Sequence, residues 1–134
     1  MIAEKTITIC GKKVKMRYCL AAERGYEQLS GKGIEVFTTT VTELDENGKP
    51  KKVAPPEAKS FDYDMLALAA IVAAYERNEE KAPITAKDIQ YDMGPKDREV
   101  LVTAVIELRL KWYDMPSIIK PETEESPEDQ EKNA

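Results

Sequence analysis

There is no histidine anywhere in this 134-residue chain, and there are only two cysteines and one tryptophan. The missing imidazole removes the commonest general base, the usual serine and cysteine triads and most zinc sites together. The residues therefore predict a protein that is not an enzyme and needs no metal or cofactor.

Long apolar runs are also missing. The longest, Met65 to Tyr75 ("MLALAAIVAAY"), has eleven residues, where a bilayer span needs about 20. The first ten residues, "MIAEKTITIC", contain no signal-peptide core. A cytoplasmic protein without a membrane partner is expected. Positive charge is not in excess either: 20 lysines and arginines stand against 25 acids, for a net charge of −5. Nucleic acid is therefore an unlikely partner on composition. The glycines at 31, 33 and 48 lack both the spacing and the following Lys-Ser or Lys-Thr of a phosphate loop.

What charge there is lies unevenly. Residues 1–33 carry seven basic and three acidic side chains, 61–80 one and five, and 117–134 two and six. A basic start faces an acidic end.

The start, "TITICGKKVKMRY", alternates in the manner of a hairpin over residues 5–19. A turn at Gly11-Lys12 would pair Ile9 with Val14 and Ile7 with Met16, giving one apolar and one polar face. In that register Cys10 and Cys19 lie ~20 Å apart at the strand rise, beyond the ~7 Å between Cα atoms that a disulfide tolerates. Both are expected to be unpaired.

A short helix follows over 20–30, with Leu20, Ala21, Tyr26 and Leu29 on an approximate stripe and glycines at 31 and 33 to stop it. Residues 34–60 form an insert: "IEVFTTTVTEL" is rich in β-branched residues, "DENGKP" is a turn, and "KKVAPPEAKS" is polar with prolines. The strand in this insert is a candidate to extend the first hairpin.

The apolar run sits in a helix expected over about 63–78, entered through Ser60 or Asp62. Asp62 and Asp64 read there as helix-start acids that favour the dipole, and Asp97 and Glu99 read likewise in the last helix. Residues two apart on a helix diverge, so neither pair forms a shared-proton or metal site.

"PITAKDIQYDMG" predicts a helix over 86–93 with a Thr85–Asp88 capping box and Gly94 to close it. "PKDREVLVTAVIELRLKWYDMP" predicts a last helix over 95–114. Its apolar residues fall on two stripes. Leu101, Ala104, Val105, Leu108 and Trp112 form one; Val102, Ile106 and Tyr113 form the second, with Leu110 to the side. One stripe suffices to pack the helix, and the second leaves apolar surface for a partner. From Lys120, "KPETEESPEDQEKNA" reads as a disordered acidic tail.

The fold class expected is α+β: an N-terminal β-hairpin followed by a mainly helical half, as a single domain over 1–119.

The order of these elements resembles the tail assembly chaperones of long-tailed phages and prophages. The basic hairpin "ITICGKKVKMRY", the small helix "AAERGYEQL", the aspartate-led helix "DYDMLALAAIVAAY", the "TAKDI" turn of helix and a last apolar helix carry that resemblance over residues 5–115. It implies a non-enzymatic protein of the bacterial host cell that keeps tape-measure or tail-tube subunits soluble before the tail polymerises, with self-association as a further option. The candidate partner-binding residues are Leu66, Val102, Ile106, Leu110 and Tyr113, acting as a helix-in-groove surface. The alternative is a small nucleic-acid-binding regulator using a helix-turn-helix-like unit at 85–113, with Lys96 and Arg98 opening its second helix.

Overall fold

The computed structural model describes residues 2–114, so the expected acidic tail at 120–134 lies outside the described residues. The class is α+β.

Strands β1 (Ala3–Ile9) and β2 (Lys12–Tyr18) form an antiparallel hairpin. Its turn is Cys10-Gly11, one residue earlier than the sequence reading placed it, with φ of 51° and 72°. Two positive φ values in succession match the right-handed twist of a two-residue hairpin. The true partners are Ile7 with Val14 and Ile9 with Lys12, a slip of two residues from the expected register. An even slip preserves the faces. Ile7, Ile9, Val14, Met16 and Tyr18 are therefore buried on one side, as the alternation required. Both cysteines are free thiols.

Helix α1 (Leu20–Ser30) ends at Gly31, whose φ of 73° and N–H bond to the Glu27 carbonyl make a left-handed cap. Its buried side is Ala22, Glu23 and Tyr26, whereas Leu20 and Leu29 are exposed, contrary to the predicted stripe. The reason is close approach. A Cβ added to Gly25 would meet the Ala69 Cβ at 3.3 Å, so small residues, not leucines, face the neighbouring helix.

Helix α2 (Ser60–Glu76) is the central element. Leu66, Ala67, Ala70 and Ile71 are all 1% exposed or less, while Met65, Leu68, Val72 and Tyr75 make up a half-buried side of the same run. Each fully buried leucine or isoleucine contributes roughly 1.5–3 kcal/mol. The helix begins earlier than predicted, with Lys59 as the capping residue.

Thr85 and Asp88 form the predicted reciprocal cap, at 2.8 Å from the Thr85 N–H to the carboxylate and 3.3 Å from the Asp88 N–H to the hydroxyl. A wide helical turn, Asp88–Asp92, follows. Gly94 does not close it; extended at φ −84°, it precedes α3 (Pro95–Trp112) instead. Leu101, Ala104, Val105 and Leu108 of α3 join the core made by the hairpin's inner face, α1 and α2.

The 34–60 insert begins with a tight 3₁₀ turn, Ile34–Phe37, whose Phe37 is buried. Strands β3 (Thr40–Leu44) and β4 (Pro50–Ala54) then pair only with each other, so the insert does not extend the first hairpin. Among the described residues no helix is long and apolar enough to cross a membrane.

Candidate functional site

Helix α3 separates its two predicted stripes as the sequence required. The first is buried at Leu101, Ala104, Val105 and Leu108, with Trp112 half-buried against the core. Along the second, Val102, Ile106 and Leu110 are half-buried at successive i+4 positions, and Tyr113 is 41% exposed. Two arginines bracket this side. Arg98 Nε donates to Asp64 at 3.0 Å and its terminal nitrogen to the Ser60 carbonyl at 3.0 Å. The Arg109 guanidinium lies 5.8 Å from the Phe37 ring centre and 5.0 Å from that of Tyr113. The stripe thus runs beside the first turns of α2 and the Phe37 turn, with its outer edge open.

At the start of α3 the stripe opens into a shallow groove of about 570 Å³ lined by Met93, Pro95, Arg98, Glu99, Val102 and Thr103. A second shallow groove, about 400 Å³, lies between β1 and α3 and shares Glu99 and Thr103 with the first. Both are open troughs, suited to a side chain or a helix edge and not to an enclosed small molecule.

Leu66 does not belong to this surface. At 1% exposure it is a core residue under α3, and it offers nothing to a partner. Of the other four predicted residues, Val102, Ile106 and Leu110 lie on α3 and Tyr113 is the residue that caps its end.

Tyr113 has a second tie. Its hydroxyl and that of Tyr18 both donate to one carboxylate, Glu23, with Tyr18 at 2.8 Å. Burial, and then the bond to Glu23, push both tyrosine hydroxyls above their usual ionisation range. Trp112 and Tyr113 each pack against Tyr18, with ring centres 5.5 and 6.5 Å away. The end of α3 is thereby pinned to the first hairpin and α1.

Three of the four paired acids serve the scaffold. Asp64 holds Arg98. Asp97 accepts the Cys10 N–H at 3.2 Å, tying the tight hairpin turn to the start of α3. Asp62 is fully buried, a position no helix-start reading anticipates. It accepts from the Lys59 N–H at 2.7 Å, the Tyr26 hydroxyl at 3.0 Å and the Lys32 ammonium at 3.2 Å. Burial raises its pKa, but these three donors outweigh burial and leave the carboxyl below its ordinary range. Tyr26 and Lys32 are 36 and 30 residues away in sequence, so no local pattern could have paired them. Among the described residues no cluster of three or more potential metal ligands occurs.

For the nucleic-acid alternative, Arg98 is committed to Asp64 and Ser60, which leaves Lys96 as the exposed basic residue at that helix start. Comparison of the chain with protein-family models, with curated proteins and with solved structures finds no match.

Proposed function

We propose that this protein is a non-enzymatic holding protein of the phage tail assembly chaperone kind, which binds a tape-measure or tail-tube subunit and keeps it soluble before the tail polymerises. One observation carries the reading: a helix whose first apolar stripe already fills the core presents a second, at Val102, Ile106 and Leu110, that runs into an open groove. A client that exposes apolar helical stripes before assembly can lay one along this row, with its polar flank near Glu99 and Thr103. Of the four acids in the pairs that would be the first candidates for chemistry, Asp62, Asp64 and Asp97 are taken up in structural bonds.

The test is co-expression with a candidate tape-measure protein, comparing the wild-type chain with Val102→Asp. Val102 lines the groove and is only half-buried, so the variant keeps its helical circular dichroism and loses the client. Loss of both together would instead place Val102 in the core and remove the stripe as a binding surface.

A further inference from the structure

The end of α3 turns the chain back on itself. Tyr113 caps the helix, and Asp114 follows with a φ of 56° and its N–H bonded to the Lys111 carbonyl at 3.0 Å. Aspartate is one of the few side chains other than glycine's hydrogen that visits this left-handed backbone. A left-handed residue just past the cap, bonded to the carbonyl three positions back, is a reversing helix ending. Its usual companion is an apolar contact between the next residue and the one five positions earlier. Here those two are Met115 and Leu110. Leu110 is the last of the half-buried row Val102, Ile106 and Leu110, so the reversal directs the chain onto the second stripe of α3.

The sequence past the turn says what arrives there. Residues 115–119 read Met-Pro-Ser-Ile-Ile, and Pro116 forbids a helical continuation, because it holds the residue before it extended. From Lys120 to Ala134 there is no large apolar side chain, and six acids stand against two lysines. The five residues nearest the open row are therefore the apolar ones, and burying two adjacent isoleucines is favourable.

Length and tethering agree. Five extended residues reach about 17 Å, and the eight-residue step from Leu110 back to Val102 covers about 12 Å of helix. The segment also starts from a fixed point, since Trp112 and Tyr113 pack on Tyr18 and the Tyr113 hydroxyl donates to Glu23. A short tether of this kind gives a high effective concentration at the row.

We propose that residues 115–119 fold back along α3 and cover its second apolar stripe, with Met115 on Leu110 and the two isoleucines toward Ile106 and Val102. A client then binds only by displacing this segment, so the chain carries its own competitor for the surface. The competition rests on the client-binding reading of the stripe; the fold-back itself does not. A segment in place about 90% of the time weakens apparent client affinity about tenfold.

Methyl-labelled NMR of the full chain tests the fold-back without a client. The expected result is through-space contacts, within one chain, from the Ile118 or Ile119 methyls to those of Val102, Ile106 or Leu110. The double variant Ile118→Ser, Ile119→Ser should shift the methyl signals of the row while its helical circular dichroism is unchanged. Absence of the contacts would overturn the proposal, as would contacts that form only between differently labelled chains and fade on dilution. A peptide carrying an apolar helical stripe of a candidate tape-measure protein then tests the competition. The double variant should bind it about tenfold more tightly than the wild type, and equal affinity would overturn the segment's role as competitor. A peptide bound by neither chain, beside intact contacts within the chain, would count against the chaperone reading and leave the fold-back standing.

Discussion

Replacing Asp62 with alanine separates two accounts of the same residue by magnitude. A helix-start acid that only favours the dipole is worth 0.3–1 kcal/mol. The structure instead makes Asp62 a fully buried acceptor for three donors. Removing it deprives the Lys59 N–H of its cap, about 1 kcal/mol, and leaves the Tyr26 hydroxyl buried without a partner, about 1–3 kcal/mol. Lys32, at 40% side-chain exposure, is screened by solvent and adds no more than ~1 kcal/mol. The expected loss is roughly 2–5 kcal/mol, read as a lowered midpoint at unchanged slope in urea unfolding followed by circular dichroism. A loss of about 1 kcal/mol or less would refute the hub and restore the dipole reading. The pH dependence follows from the same bonds. Because the folded carboxyl lies below its ordinary value of 3.8, its contribution is complete above that pH and is lost as the pH falls through the lowered folded value. Asp62→Ala should flatten the wild-type decline in that acid window.

Three further outcomes are expected. Tyr18 has a folded-state pKa raised above 10.0 by burial and by Glu23, so its contribution is whole below pH 10.0 and disappears as the pH rises beyond it; Tyr18→Phe should show a shallower alkaline loss of stability than the wild type. Gly31→Ala meets no atom within 4 Å but must adopt a φ of +73°, and should lower the urea midpoint by the equivalent of about 1–2 kcal/mol. Val102→Asp should keep the helical circular dichroism of the wild type, since Val102 is only half-buried at the groove, while client capture fails.

Much of the scaffold was legible because it rests on periodicity. The inward faces of the first hairpin, the burial of most of the α2 run, the Thr85–Asp88 cap and the two stripes of α3 all follow from spacing alone. The hairpin register slipped because a cysteine, at φ 51°, occupies the turn position that Asn or Asp would have announced. The inner side of α1 was misread for a different reason. Glu23 and Gly25 face inward, one for two tyrosine hydroxyls and one for close approach to Ala69, and a hydrophobicity pattern gives weight to neither. Leu66 sits in the same unbroken apolar run as Leu68, and only tertiary packing decides that Leu66 is buried while Leu68 is half-buried. The second α3 stripe was visible as surplus. Its groove was not, because Met93 and Pro95 reach it only through the extended Gly94 link.

The central claim, that the open stripe of α3 holds a client, is tested most directly by co-expressing a tape-measure protein with the wild-type chain and with Val102→Asp, then measuring captured complexes by light scattering. The account predicts a soluble complex of defined stoichiometry with the wild type and an insoluble client beside a folded, unbound Val102→Asp. A client that stays insoluble with both chains, or is held equally by both, would contradict it.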